Sequence, residues 1–227
     1  MGPRGIRGGG RTGRDTSAIV FAGGDAPAPP APSVVDVVIA ADSGLQHAQA
    51  LELSVDLVVG DLDSVDPAAL EAAVADGAAV ERHPAAKDAT DLELALDAAL
   101  ARGATSLQVL GVGGGRLDHF LANVLLLASP RYADATIDAR VGDAQIKVVH
   151  DRAELAGEPG GLCSLLPLGG PAVGVVTDGL RYPLRRETLP PGTTRGVSNE
   201  FLTGRASVSV EAGVLLAVVP ATDGKDV

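Results

Sequence analysis

The chain has 227 residues and a formal net charge of −11, with 46% apolar residues but only 2% aromatic ones and no Trp. That length accommodates one large domain, or a medium domain with a small companion, and the acidity excludes the basic stripe of a nucleic-acid-binding surface. A single cysteine, Cys163, excludes an intrachain disulfide framework and, lying in an apolar run, reads as a core residue of a protein in a reducing, cytoplasmic setting.

Residues 1–14 are rich in Gly and Arg without apolar periodicity; they read as a disordered leader and lack the apolar core of a signal peptide. No apolar stretch reaches the roughly 20 residues of a membrane span. Residues 17–22 predict a first strand ending at Gly23-Gly24, a pair suited either to a tight turn or to close approach of a phosphate. After a Pro/Ala loop, residues 34–40 predict a second strand and 45–53 a short helix. A third strand, 55–59, stops at Gly60, and Pro67 opens a helix over 67–75. Residues 78–81 predict a fourth strand, and Leu92, Leu96 and Leu100 mark the buried face of a helix over 91–101. A strand over 106–110 leads through a glycine run to a strongly apolar helix, 117–128, expected to pack on both sides.

Residues 136–149 hold one or two more strands around Gly142-Asp143. Strand and helix alternate up to this point, which predicts a mostly parallel, Rossmann-like sheet with flanking helices over 15–150. Ala, Val and Leu must fill its interior, and small side chains suit helices laid on such a sheet. From residue 151 only short apolar runs remain, at 162–168, 173–177, 206–210 and 214–219, separated by turn residues. Residues 151–227 therefore predict a small all-β sandwich domain.

The chemistry sits where strands end. Asp61 and Asp63 follow the third strand with one apolar residue between them. In extended chain they point the same way, and their like charges call for a cation. Mg²⁺ takes one or two protein carboxylates together with substrate phosphates, so the pair also asks for a phosphate-bearing ligand. An acidic turn is the plain alternative, since Asp63-Ser64 and Asp66-Pro67 suit helix starts. Asp42-Ser43-Gly44, Lys87-Asp88-Ala89-Thr90-Asp91 and Gly113-Gly114-Gly115-Arg116-Leu117-Asp118-His119 occupy equivalent places, and in an open parallel sheet such loops form one crevice.

The glycine run lacks the third Gly of a dinucleotide fingerprint, where Arg116 stands instead, and no Walker-type loop occurs. Arg116 beside it is nevertheless a cation at a helix start, suited to phosphate oxygens. Lys87 either neutralises a phosphate or is solvated, and Thr90 doubles as a helix cap. His119 and Asp118 are adjacent on a helix and do not face each other. Tyr182, one of five aromatic residues, reads first as sheet packing.

Taken in order, these motifs resemble the thiamine pyrophosphokinase family over nearly the whole chain after the leader. The resemblance is carried by Ala41-Asp42-Ser43-Gly44, Gly60-Asp61-Leu62-Asp63-Ser64, Lys87 to Glu93, Gly114 to His119, Thr177-Asp178-Gly179-Leu180-Arg181-Tyr182 and Gly196-Val197-Ser198-Asn199-Glu200. It implies Mg²⁺-dependent transfer of a pyrophosphoryl group from ATP to the hydroxyethyl oxygen of thiamine, giving thiamine diphosphate and AMP. It also implies a homodimer in which the β-domain of one subunit helps bind thiamine at the α/β cleft of the other. Position by position, Asp61, Asp63 and Asp91 are implied as Mg²⁺ ligands with Asp42 a nearby helper. Lys87 and Arg116 would meet the phosphates beside Gly114 and Gly115, and Thr90 and Asp118 the nucleotide and thiamine region, with Asp118 the candidate base. Tyr182 would stack on thiamine, and Ser198 and Asn199 would line its pocket. Two other readings stay open: a diphosphotransferase acting on a pterin alcohol, and a non-catalytic thiamine or nucleotide sensor.

Overall fold

The computed structural model describes residues 15–30 and 34–221; the expected leader lies outside them. Six parallel strands form the first layer: β1 (Thr16–Phe21), β2 (Val37–Ala41), β3 (Leu57–Gly60), β4 (Ala79–Arg82), β5 (Ala104–Leu110) and β6 (Thr136–Val141), in the order β4-β3-β2-β1-β5-β6. β7 (Ala144–Val149) then turns back antiparallel to β6. The alternation of strand side chains splits the core in two. Val20, Ile39, Val59 and Val109 meet Leu92, Ala95, Leu96 and Ala99 on one face. Ile19, Phe21, Val38, Ala40 and Val58 meet Leu45, Ala48 and Ala73 on the other.

The helices are α1 (Gly44–Ala50), α2 (Pro67–Ala75), α3 (Asp91–Ala101) and α4 (Leu117–Leu127). α2 and α3 begin and end where the sequence predicts, because their starts are chemically marked. The Asp66 carboxylate accepts the Ala68 N–H at 3.0 Å ahead of Pro67, and Thr90 Oγ1 accepts the Glu93 N–H at 3.2 Å. α4 departs from expectation. It was predicted to pack on both sides, yet Leu127 is its only buried residue, and Leu117, Leu121 and Leu125 are 70%, 52% and 58% exposed. Hydropathy records that this face is apolar, but nothing within the described chain covers it.

The second part is β-rich: β8 (Arg152–Ala156), β9 (Leu162–Asp178), β10 (Arg185–Leu189), β11 (Asn199–Glu200), β12 (Arg205–Ser209) and β13 (Ala212–Val219). β9 is one long strand where two are expected; its pairing with β13 shifts register between Leu168 and Val173, where Gly169 stands at φ +72°. Its first half pairs with β13 and its second half with β10 and β12. β8, β10 and β11 escape sequence reading because charged residues interrupt the first two and the third has only two residues. β13 lies between β7 and β9, so the last strand among the described residues joins the β-rich part to the main sheet. Among the described residues no helix is long and apolar enough to cross a membrane.

Leu96 is fully buried at the centre of α3's contact with the sheet. Leu96→Ala is expected to cost about 3 kcal/mol of unfolding free energy, read as a lower urea midpoint at unchanged m-value.

Candidate active site

All the parallel strands run the same way, so the segments that follow β1 to β5 meet at one sheet edge and enclose a cleft of about 480 Å³. All five segments bring glycine or acid to it. Gly23 and Gly24 follow β1, Asp42 and Ser43 follow β2, Asp61, Asp63 and Ser64 follow β3, and Gly114, Gly115 and Arg116 follow β5. Lys87, Thr90 and Asp91 enter from the β4–α3 connection, and His119, Ala122 and Asn123 from the first turns of α4.

Two of the five left-handed non-glycine residues among those described lie at this edge. Asp42 and Leu62 hold φ of +47° and +63°, the left-handed region that non-glycine residues rarely occupy. Leu62 therefore breaks the extended geometry assumed for Asp61-Leu62-Asp63, and the two carboxylates do not act as a simple parallel pair. The group whose oxygens lie within 4.8 Å of one another is instead Asp42, Asp61 and Asp91. Asp63 lines the same cleft outside that group, accepting the Ser64 hydroxyl at 2.9 Å while its N–H donates to Asp61 Oδ1 at 3.3 Å. Gly60 makes the grouping possible: at φ +148°, a Cβ there would stand 2.9 Å from Asp91 Oδ1.

The charges respond to this crowding. Burial raises the Asp42 pKa, and the neighbouring carboxylates of Asp91, Asp61 and Asp63 push it the same way. Asp61 is lowered, first by the Asp63 N–H and then by Lys87. For Lys87 burial opposes the charge, but Asp91 and Asp61 outweigh it and hold the ammonium above its ordinary value. Asp42 Oδ1 is shut from solvent without a hydrogen-bond partner, and Asp91 Oδ1, equally shut off, has the Lys87 ammonium 2.8 Å away as its neighbour. An unpartnered carboxylate oxygen in an all-oxygen cluster fits a hard divalent cation such as Mg²⁺.

The glycine loops are held by backbone and side chains together. The Gly24 N–H donates to Gly111 O at 2.9 Å and the Asp25 N–H to Gly113 O at 2.7 Å, while His47 Nε2 on α1 donates to Gly24 O at 2.7 Å. Asn123 on α4 donates to Val112 O at 3.4 Å. Sequence reading missed His47, Asp25 and Asn123, whose roles depend on loops that meet only in the fold. It also set His119 aside by its relation to Asp118, whereas His119 faces the cleft independently of that neighbour.

Asp118 does not line the cleft. Its exposed carboxylate is paired with Arg116, whose Nε donates to Oδ1 at 3.1 Å, and this bond holds the Asp118 pKa down to about 2. Tyr182, Ser198 and Asn199 do not line it either. Asn199 is buried and fully engaged: Oδ1 accepts the Tyr182 N–H at 2.9 Å and Nδ2 donates to Tyr182 O at 2.8 Å. It thus fixes the turn that presents Tyr182, which is 49% exposed with the Arg181 guanidinium 5.8 Å from its ring centroid.

An open parallel sheet whose carboxyl-edge cleft combines clustered carboxylates, a lysine and two glycine loops defines a nucleotide-dependent group transferase of the α/β class. Residues 33–138 match the thiamin pyrophosphokinase catalytic domain and residues 145–215 match the thiamin pyrophosphokinase vitamin B1 binding domain. A thiamine pyrophosphokinase of Bacillus subtilis is 31% identical over 163 residues, which cover 70% of this chain and 75% of that protein. Thiamine pyrophosphokinase 1 of Arabidopsis thaliana is 27% identical over 177 residues, covering 72% of this chain and 64% of that longer protein. The crystal structure of thiamine pyrophosphokinase from Bacillus subtilis superposes with a TM-score of 0.77 at 26% identity, covering 90% of this chain and 98% of that one. The chain belongs to the thiamine pyrophosphokinase family.

A Cβ on Gly24 would stand 2.0 Å from Gly113 O and 2.4 Å from Gly111 O, whereas one on Gly170 meets nothing within 4 Å. Gly24→Ala is expected to cost about 1–3 kcal/mol of stability by forcing the two loops apart. Gly170→Ala should stay within about 0.5 kcal/mol of the parent chain, both read by chemical denaturation.

Proposed function

We propose that this protein transfers the pyrophosphoryl group of ATP to the hydroxyethyl oxygen of thiamine, giving thiamine diphosphate and AMP. The observation that carries the reading is the convergence of Asp42, Asp61 and Asp91, with Lys87 between two of them, beneath the glycine loops of one cleft. The hydroxyl oxygen bonds to the β-phosphorus, the bond from that phosphorus to the α–β bridging oxygen breaks, and AMP leaves with the bridging oxygen. The hydroxyl proton passes to solvent water as the new bond completes. Transfer of this kind passes through a loose transition state, so positioning and charge neutralisation supply most of the acceleration.

Asp42, Asp61 and Asp91, with Asp63 beside them, would hold Mg²⁺, which when bound neutralises phosphate oxygens and fixes their orientation. Gly114 and Gly115 let the backbone approach the polyphosphate, and Lys87 and Arg116 supply positive charge in an otherwise acidic cleft. Thr90 caps α3 and so sets the direction in which Asp91 points. Asp118 is bonded to Arg116, and a carboxylate with a pKa of about 2 is a weak base. Its role in this reading is to orient the guanidinium.

The thiamine side is completed by a second copy of the chain. Tyr182 and Ser198 stand away from the cleft of their own chain, while Leu117, Leu121 and Leu125 on α4 present an apolar stripe beside it. Charge supports the same pairing. Residues 15–150 carry 20 acidic against 7 basic side chains, and residues 151–221 carry 7 against 6, so the β-rich part can approach the acidic cleft without the repulsion that a second α/β part would meet. The exposed Tyr182 ring then offers a stacking face to a cationic thiazolium.

Incubation with ATP, Mg²⁺ and thiamine should release AMP and no ADP; release of ADP, or none of either, would overturn the assignment. Asp61→Asn should lower turnover at least about a hundredfold while leaving the melting temperature near that of the parent. Leu121→Glu is expected to give a monomer in sedimentation velocity and to raise the thiamine KM more than the ATP KM; an unchanged dimer would remove α4 from the interface.

A further inference from the structure

Lys87 stands where an incoming cation has to go. Its ammonium nitrogen is 2.8 Å from Asp91 Oδ1 and 3.7 Å from Asp61 Oδ2, so it occupies two of the three carboxylates of the cluster. Only 14% of its side chain is exposed. The contact with Asp91 is an ion pair at hydrogen-bonding distance, whereas Asp42 Oδ1 is left without a hydrogen-bond partner. The cluster is therefore partly neutralised by its own chain, and what neutralises it is a monovalent charge on a flexible stem. Lys87 is the inward-facing residue of a connection whose neighbours Ala85, Ala86 and Asp88 are exposed, so its side chain can leave without disturbing a helix or strand.

A bare divalent ion entering this cluster meets two costs. It must displace the ammonium from Asp91 and Asp61, and it must then share a confined cleft with that displaced charge. A divalent ion arriving on a polyphosphate meets neither in full, because the phosphate oxygens accept the ammonium that the carboxylates release. We propose that Lys87 is a specificity determinant: it makes the Asp42–Asp61–Asp91 cluster take its divalent cation as a metal–nucleotide complex in preference to the free ion. This rests on the reading that a nucleoside triphosphate binds in the cleft. It adds that one side chain acts in opposite directions on the two forms of the metal.

The test uses Mn²⁺ as the probe, followed by the loss of its free-ion paramagnetic resonance signal, with the full chain and its Lys87→Gln and Lys87→Arg variants. Lys87→Gln is expected to bind bare Mn²⁺ about tenfold more tightly than the parent, within the range usual for coupling between neighbouring sites. With Mn²⁺ and α,β-methylene-ATP the order should reverse, Lys87→Gln binding the complex more weakly than the parent. Lys87→Arg keeps the charge and should stay close to the parent with the bare ion, which separates loss of charge from loss of fold. Bare Mn²⁺ binding to Lys87→Gln that is equal to or weaker than that of the parent overturns the proposal, and AMP formation by the parent chain then still upholds the functional reading. A parent chain that binds no Mn²⁺–nucleotide complex and forms no AMP overturns the functional reading and this proposal together.

Discussion

Three carboxylates held within 4.8 Å of one another set the terms for the rest of this molecule. Like charges at that spacing repel, and burial raises the cost by removing the water that would screen them. The fold sustains the cluster by anchoring each member on a different rigid element. Asp42 follows β2, Asp61 follows β3 and Asp91 opens α3, so the backbone of each is held by a strand or helix packed in the core. Lys87 provides the local compensation. The strained backbone of Asp42 and Leu62 is concentrated at the same place, where the surrounding packing can hold it.

The glycines around the cleft follow from the same requirement. Gly60 exists as a glycine because Asp91 needs the space that a side chain would fill, and Gly24 because two loops exchange backbone hydrogen bonds across it. His47 and Asn123 reach these loops from helices on either side, so the wall that faces the ligand is fixed from behind. Preorganisation of this kind matters for a reaction accelerated by positioning, because little reorganisation remains when the phosphates arrive.

The two parts of the chain divide the work by charge. The α/β part is strongly acidic and brings four of its carboxylates into the cleft, while the β-rich part is close to neutral and presents Tyr182 on a turn that Asn199 pins from below. A dimer built through α4 would bring these features together and would cover the apolar stripe that the single chain leaves exposed. The insertion of β13 between β7 and β9 makes the β-rich part continuous with the main sheet through backbone hydrogen bonds. Tyr182 is thus presented from a framework joined to the one that carries the acids.

The sequence by itself determined the alternation of strand and helix, the bounds of α2 and α3, and the position of every acid at a strand end. These features rest on local signals: an Asp before Pro67, a Thr ahead of Asp91, and leucines repeating at helical spacing. Only the tertiary structure decided which acid oxygens lie together. That Asp42 joins Asp61 and Asp91 within 4.8 Å, with Asp63 beside them in the same cleft, depends on the left-handed turn at Leu62 and on the parallel alignment of β2 with β3, neither of which neighbouring residues reveal. It likewise decided that the apolar face of α4 has no cover within the described chain and that Asn199 supports Tyr182 from a buried position, because contacts between distant segments are settled by packing across the sheet and leave no mark in local spacing.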